Sequence, residues 1–228
     1  LNKALYQKFF LTNDELQACR DGYIYVHDMS ARRDTMNCCL FDVGAVLKGG
    51  FEMGNIWYNE PKSLDVAFDV IGDIVLSAAS QQYGGFTVSE IDKLLIPYAE
   101  RSYNSFVEKY ESLGLSKEKS EEQALKDVET DFRKGFQGLE YKFNTVASSR
   151  GDYPFITVTA GLSTDRFGKM ATICLLETRK GGQGKKGNKK PVLFPKIVFL
   201  YDENLHGEGK ELEDVFNCAI ECSKKTMY

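Results

Sequence analysis

Two adjacent cysteines, Cys38 and Cys39, are the residues of this chain with the clearest capacity for chemistry. They lie in a segment typical of a β-strand, and a strand sends neighbouring side chains to opposite faces. We therefore expect one thiol to point toward whatever the strand lines and the other into the packing behind it. The alternative is that both are buried as small hydrophobic groups, the commonest environment of a free cysteine.

Two other pairs of residues are weaker candidates. His27 and Asp28 have the chemistry of an acid–base pair, but neighbours on a strand face opposite ways, which favours a structural hydrogen-bonding role. Cys218 and Cys222 are four residues apart on a predicted helix, so one face could carry two metal ligands. No second pair lies nearby in sequence and the chain has two histidines, so we predict no metal site and favour helix packing.

Composition limits the classes of function. The chain has 228 residues, 43% of them hydrophobic and 27% charged, which is ordinary for a globular protein. Its net charge of -4 argues against a general nucleic-acid binder. No apolar run is long enough to span a membrane. Six cysteines without a secretory signal indicate reduced thiols in a cytoplasm, and the start at Leu1 indicates a segment of a longer chain.

Hydrophobic periodicity and turn residues predict the elements that position these groups. In the first sixty residues we predict, in order, a helical region from Asn2 to about Arg20 with Thr12 or Asn13 as a cap, a strand over Tyr23–His27, the strand around Cys38, and an irregular glycine-rich segment over Gly44–Gly54.

Three long helices are predicted next, over Ser63–Tyr83, from Ile91 to about Leu113, and over Ser116–Val146. The first is apolar nearly all round and should be buried. The second follows a capping-box pattern at Thr87–Glu90, and Pro97 should end or kink its first segment. Together the three helices suggest a bundle that pairs with something.

The last third alternates strands and helices. We predict a strand over Asp152–Thr159, a helix over Phe167–Arg179, a flexible basic loop over Arg179–Lys190, a buried strand over Val192–Leu200 and an amphipathic helix over Glu211–Lys225. Lysines and free amides of the loop could contact phosphates, although a solvated loop is favoured. This order of elements suits an α/β barrel with a helical insertion.

A series of short motifs carries a family resemblance from about Gly22 to Tyr228. They are Tyr25–Asp28, Thr35–Leu40, Gly49–Asn55, Glu60–Ser63, Gln82–Thr87, Phe143–Thr145, Pro154–Thr159, Leu193–Lys196 and Cys222–Tyr228. With these motifs in this order, the sequence resembles the anaerobic (class III) ribonucleoside-triphosphate reductases, which are glycyl-radical enzymes. One departure is Ala160, where the family pattern leads us to expect phenylalanine.

The resemblance implies a fold and a division of the chain. It implies an α/β protein that is part of a glycyl-radical-enzyme α/β barrel, with an inserted bundle of long helices that mediates dimerisation. Residues 1–228 would form a partial catalytic barrel domain, and residues 61–147 a helical insertion for dimer contacts and effector binding. The family's thiyl cysteine and glycyl-radical loop are expected after Tyr228, so we expect this chain alone to be inactive.

The resemblance also implies the chemistry of the cysteine pair. The complete enzyme would reduce ribonucleoside triphosphates to deoxyribonucleoside triphosphates, for deoxyribonucleotide biosynthesis and DNA replication. A thiyl radical would take the 3′ hydrogen, water would leave from C2′, and Cys38 would supply the reducing hydrogen. Asn37, His27 and Phe155 would contact the substrate, with core packing as the alternative for Asn37 and Phe155.

A regulatory site is implied at the dimer interface. The family places its specificity effectors, dNTPs and ATP, against helices that match the three long ones. We assign Asn59, Lys62 and Lys142 to this site, because a helix N-terminus and a lysine favour phosphate. The alternative for Lys62 is a solvated lysine at a helix start.

Cofactors and partners follow from the same resemblance. We expect no cofactor in this segment, whereas the complete enzyme would have a glycyl radical installed by a separate radical-SAM iron–sulfur activating enzyme, a structural zinc and formate as co-substrate. We expect a cytoplasmic homodimer that binds neither nucleic acid nor membranes. The alternative is a non-catalytic homodimeric dNTP-binding module. A relative of pyruvate formate-lyase is disfavoured, because Asn37–Cys39 and Gly50–Phe51 match the reductases.

Overall fold

The computed structural model describes residues 2–26, 37–82, 84–145 and 155–227. Its helices are α1 Asn2–Phe10, α2 Asn13–Arg20, α3 Val43–Leu47, α4 Leu64–Ser80, α5 Ile91–Ser112, α6 Lys117–Thr145, α7 Arg166–Gly181, α8 Glu203–His206 and α9 Glu213–Thr226. Its strands are β1 Cys39–Phe41, β2 Phe51–Met53, β3 Ile56–Tyr58, β4 Phe86–Val88, β5 Ile156–Ala160, β6 Gln183–Lys185, β7 Asn188–Lys190 and β8 Lys196–Phe199.

A four-stranded parallel sheet with the order β1-β4-β5-β8 organises the chain. One face is buried against helices and carries Phe86, Val88, Ile156, Val158 and Ala160. The other face is open in the described part of the chain, and a row of paired residues crosses it: Leu40, Thr87, Thr157 and Lys196. The parallel sheet confirms the predicted α/β class, and β1 and β8 form its two edges here.

The helices that cover the sheet pack through aromatic side chains. The ring of Phe68 on α4 makes edge contacts with the rings of Phe132 and Phe136 on α6, at centroid distances of 6.2 and 4.9 Å. Such contacts between aromatic rings stabilise the fold beyond the contribution of the apolar area that these large side chains bury. Nine of the 17 residues of α4 are buried, which confirms that the helix packs into a core, but Val66 is 45% exposed, so the helix is not buried all round as predicted.

A buried ion pair connects α6 with the region of β8. Arg179 Nε donates to Glu140 Oε1 at 2.9 Å, and another guanidinium nitrogen donates to the Pro195 carbonyl at 2.6 Å. The remaining carboxylate oxygen of Glu140 accepts from Gln183 at 2.6 Å. Both charged groups therefore have polar partners, which is what burial of charges requires.

The segment that precedes the cysteine pair agrees with prediction in its helices and departs from it after α2. The α1–α2 region is helical as predicted, and Thr12 forms a capping box with Glu15. The predicted strand over Tyr23–His27 is wrong for residues 23–26, because the Tyr23 and Ile24 amides donate to the Ala18 carbonyl at the end of α2. These amides are thus used in ending a helix and not in a strand ladder. His27 and Asp28 lie outside the described residues.

Two segments predicted as irregular are ordered elements. In Gly44–Gly54, α3 begins where the Asp42 carboxylate accepts from the Ala45 amide, and a β2–β3 hairpin follows. In Arg179–Lys190, α7 continues to Gly181 and a β6–β7 hairpin follows. Both hairpins have two-residue turns with a glycine at positive φ, +65° at Gly54 and +82° at Gly187. Glycine in such short turns is a hairpin signal, so the predictions of an irregular segment and a flexible loop are wrong here.

The capping-box prediction at Thr87–Glu90 is wrong. Thr87 lies in β4, and the Glu90 backbone is the cap of α5, at φ +47° and without a side-chain capping bond. Its amide donates instead to Thr159 Oγ1 at 2.7 Å. Because β4 is held between β1 and β5, ladder pairing overrides the local pattern. The α5 helix also runs on through Pro97, which does not end it.

The remaining elements agree with prediction in type. The helices α4, α6, α7 and α9 and the strand β5 lie where the sequence predicts them. The strand predicted as buried over Val192–Leu200 is narrower, at β8 Lys196–Phe199, and is only half-buried, since one of its faces is the open face of the sheet. Within the described ranges, no helix is both long and apolar enough to cross a bilayer.

Candidate functional site

The candidate site lies where the parallel strands begin. Cys38 directly precedes β1, Gly85 precedes β4 and Phe155 precedes β5. Backbone bonds hold these starts together, because the Cys39 amide donates to the Gly85 carbonyl at 3.0 Å and the Phe86 amide donates to the Phe155 carbonyl at 2.9 Å. Cys38, Gly85 and Phe155 therefore form a row at the amino edge of the sheet.

Two glycines lie against the Cys38 thiol. The Gly85 amide donates to Cys38 Sγ at 3.2 Å, and the Gly84 amide donates to the Asn37 carbonyl at 2.5 Å. A Cβ atom at Gly84 would come within 2.7 Å of Cys38 Sγ and 2.5 Å of Asn37 Oδ1. A side chain at position 84 is thus excluded by the thiol and the amide next to it.

The two neighbouring thiols have different surroundings. Cys38 is exposed, whereas Cys39 is half-buried and packs against the hydrophobic core. The Cys39 thiol donates to Gln82 Oε1 at 3.0 Å, and burial raises the pKa of this thiol. The expected alternation is therefore present, with Cys38 on the accessible side and Cys39 on the packing side.

The other predicted substrate contacts are partly brought together. Phe155 is 52% exposed, and its ring makes an edge contact with Phe194 at a centroid distance of 5.6 Å. Lys196 Nζ lies 5.9 Å from the centroid of the Phe155 ring and places a cation beside the row. Asn37 is exposed beside Cys38. Core packing, the alternative for Asn37 and Phe155, does not describe either side chain here.

Sequence reasoning missed three participants in this geometry: Gln82, the Gly84–Gly85 pair and Lys196. Gln82 and the glycines belong to the Gln82–Thr87 motif and Lys196 to the Leu193–Lys196 motif, so the signal was present. Their link to Cys38 was hidden, because the contacts join residues more than forty positions apart.

The predicted effector residues are not gathered in one place. Asn59 and Lys62 are exposed in the segment before α4. Lys142 Nζ lies farther along α4, where it binds Asp69 at 3.0 Å and approaches Asp73 at 3.8 Å. Lys142 therefore has carboxylate partners in this structure.

A cavity of about 180 Å³ lies beside Lys142, between α4 and α6. Its charged lining residues are Asp65, Asp69, Asp131, Lys134 and Lys142. Burial, with the nearby Asp65 carboxylate, raises the pKa of Asp131. The lining thus has both signs of charge and more carboxylates than ammonium groups.

The cysteines of α7 and α9 are buried, at Cys174 and Cys222, or half-buried, at Cys218. Cys222 is buried, and Cys218 lies 3.7 Å from Glu177 Oε1. Burial raises the pKa of Cys218 to about 11 and that of Cys174 to about 12. Within the described ranges, no group of three or more histidine, cysteine, aspartate or glutamate side chains is arranged to hold a metal ion.

Comparison with known proteins identifies the family. The model of the family described as anaerobic ribonucleoside-triphosphate reductase matches residues 1–228. The reductase of Enterobacteria phage T4 is 36% identical over 93% of this chain and 35% of its own length, and that of Salmonella typhimurium is 34% identical over 97% and 31%. The chain belongs to the anaerobic ribonucleoside-triphosphate reductase family. It spans about a third of the length of these relatives.

Solved structures agree on the fold. The anaerobic ribonucleotide reductase of Thermotoga maritima with citrate in the active site matches 98% of this chain and 41% of its own, with a TM-score of 0.66 and 15% identity. The same enzyme with dATP bound in the specificity site matches 98% and 38%, with a TM-score of 0.62 and 14% identity.

Proposed function

We propose that the complete protein is an anaerobic ribonucleoside-triphosphate reductase, and that this chain supplies Cys38 as a hydrogen donor to the substrate. The observation that carries the proposal is the contrast between the two neighbouring thiols. Cys38 is exposed at the amino edge of the open sheet face, and Cys39 is bound to Gln82 behind it. The family of the chain supplies the reaction.

The role of Cys38 is one hydrogen-atom transfer. A glycyl residue and a thiyl cysteine, which we do not assign to this chain, would supply the radical that removes the 3′ hydrogen. The 2′ hydroxyl leaves as water with a proton that the 3′ hydroxyl loses, so that C3′ becomes a ketone and the radical moves to C2′. The S–H bond of Cys38 then breaks and its hydrogen atom goes to C2′ of the ribose. The sulfur is left as part of a thiyl or disulfide radical, for which we propose formate as the final reductant.

The exposed side chains around the thiol fit a nucleotide. The Phe155 ring offers an apolar face, the Asn37 amide offers a donor and an acceptor, and Lys196 places positive charge nearby. Such a combination of apolar surface with a few polar groups is typical of small-molecule sites. We propose that these residues, together with His27, contact the ribonucleoside triphosphate.

The rest of the barrel would cover the open face of the sheet. Leu40 is 78% exposed on this face, beside two threonines and a lysine. An uncovered parallel sheet is unusual, since such sheets are generally buried on both faces. We propose that this sheet is part of a glycyl-radical-enzyme barrel, and that residues 61–147 form an insertion through which two copies dimerise.

The test of the catalytic assignment is the substitution Cys38→Ala in the complete protein. We expect loss of ribonucleotide reduction, because alanine has no transferable hydrogen, while the glycyl radical still forms and is seen by electron paramagnetic resonance. Cys39→Ala should keep measurable reduction. Retained reduction in Cys38→Ala would refute the role, and its loss only in Cys39→Ala would transfer the role to the neighbouring thiol.

We also propose that the long helices bind a dNTP or ATP effector at a dimer interface, where two copies together would supply Asn59, Lys62 and Lys142. The Thermotoga maritima enzyme with dATP in its specificity site supports a site of this kind. Because Lys142 is bound to aspartates, a phosphate would have to displace Asp69 from it. Titration calorimetry with dATP should give binding that Lys62→Ala and Lys142→Ala weaken, with exposed Lys117→Ala as control. Equal affinity in all variants would contradict the assignment.

A further inference from the structure

One buried side chain beside Cys38 has no part in the proposed transfer. Gln82 is 8% exposed, its Oε1 accepts from the Cys39 thiol at 3.0 Å, and its Nε2 donates to the Gly85 carbonyl at 3.0 Å. A carbonyl can only accept, so the amide nitrogen must face Gly85 and the amide oxygen faces the thiol. Gln82 thus connects Cys39 to the backbone that contacts Cys38.

Gly85 is held at both of its polar groups. Its carbonyl accepts from Gln82 and from the Cys39 amide, each at 3.0 Å. Its amide donates to Cys38 Sγ at 3.2 Å. Because the sulfur accepts this bond with a lone pair, its own hydrogen is left to point elsewhere. The open face is the accessible direction for it.

We propose that Gln82 is a positioning residue for Cys38: it holds the Gly85 backbone, whose amide fixes the sulfur at the open face. The effect on catalysis rests on the proposed function, whereas the effect on the Gly85 backbone does not. The steric fit supports the proposal, since Gly84 has no room for a side chain and the sulfur has little freedom on that side.

The first test compares Gln82→Met with Gln81→Met in the complete protein. Methionine keeps the volume of glutamine and removes both hydrogen bonds. The Gln81 side chain is exposed and, among the described residues, bonds only to Ser80, at 3.3 Å. In Gln82→Met we expect amide exchange of the Gly84–Gly85 segment to become about tenfold faster, because one of the two lost bonds holds Gly85 and the loss of one hydrogen bond corresponds to about that factor. We expect kcat to fall about tenfold with KM unchanged. Gln81→Met should match the wild type.

A second variant separates positioning from simple filling of space. Protonated glutamic acid in Gln82→Glu keeps one donor for Gly85 and one acceptor for Cys39, whereas the ionised form has no donor. The ratio of variant to wild-type exchange rates should therefore approach one as the pH falls and rise as the carboxyl group ionises. A ratio that does not change with pH would overturn the proposal.

Substitution of Cys39, which donates to Gln82, gives a test that does not require the Gln82 variants to fold. Cys39→Ala removes the donor to Gln82 and should speed exchange at Gly85, while Cys39→Ser keeps a donor and should preserve protection. Unchanged exchange in Gln82→Met, or in both Cys39 variants, overturns the inference. Full reduction by Cys38→Ala refutes the proposed function and leaves the exchange results standing, so the two failures are distinguishable.

Discussion

At the scale of the residue, burial separates the thiols by their chemistry. Cys38 is exposed, and the Gly85 amide reaches its sulfur. Cys174 is buried between α6 and α7, where the loss of solvation raises the pKa of its thiol to about 12. A thiol can give a hydrogen atom only to a substrate that reaches it, and burial keeps Cys174 out of reach. The environment, and not the residue type, therefore marks Cys38 as the group available for reaction.

The raised pKa of Cys174 predicts an alkaline loss of stability. In the unfolded chain the thiol ionises near its ordinary pKa of 9.0, whereas in the folded chain it stays protonated to about pH 12. The contribution of this thiol to the free energy of unfolding is thus fully present below pH 9. It is lost as the pH rises toward 12, at up to about 1.4 kcal/mol per pH unit.

Urea unfolding between pH 8 and pH 10.5 measures this loss. Cys174→Val should show a shallower decline than the wild type. Val128→Ala is a control in the same core. It should lower the free energy of unfolding by the same amount at every pH, because neither side chain titrates. Equal slopes for Cys174→Val and the wild type would show that this thiol is not what titrates.

At the scale of the element, Gly135 permits the close approach of α4 and α6. A Cβ atom at Gly135 would lie 2.1 Å from the ring of Phe68, which is itself buried. Three residues along the same helix, a Cβ atom at Gly138 would meet nothing within 4 Å. Both glycines thus lie in α6, but only Gly135 is packed tightly against another side chain.

This contrast predicts opposite effects of the same substitution. Gly135→Ala should destabilise the protein by about 1–3 kcal/mol, because the Phe68 ring must move in a packed core. Gly138→Ala should stabilise it by about 0.5–1 kcal/mol, since alanine is the better helix former. Denaturant unfolding of both variants measures the difference. Equal effects would mean that the helices do not approach as closely as described.

At the scale of the whole molecule, the open sheet face is the surface that the proposed barrel must cover. Leu40 lies on this face, and Leu113 lies at the end of α5, 67% exposed. Both leucines are exposed in the described structure, but a closed barrel would bury only the first. The two positions therefore distinguish an open sheet from a covered one.

The prediction is a difference between two glutamate substitutions in the complete protein. Leu40→Glu should destabilise it by about 2 kcal/mol or more, because a charge would enter a covered face. Leu113→Glu should change stability by no more than about 0.5 kcal/mol. Thermal unfolding of both variants gives the comparison. A small effect at both positions would contradict the barrel.

Local signals in the sequence determined most of the elements. The long helices, the α/β alternation and a helix cap at Thr12 or Asn13 are predictable because each depends on residues a few positions apart, and the structure places the cap at Thr12. The opposite directions of Cys38 and Cys39 follow from strand geometry alone. The two hairpins are not predicted, because a glycine-rich composition is typical both of irregular segments and of short hairpin turns.

The tertiary structure decided the contacts between residues that are far apart in the sequence. Pairing between β1, β4 and β5 turned the Thr87 segment into a strand, against its local capping pattern. It also selected Cys38 as the accessible thiol and brought Gln82 and Gly85 to it across more than forty residues. Backbone hydrogen bonds between distant segments are satisfied only after the sheet forms, so local sequence does not contain them.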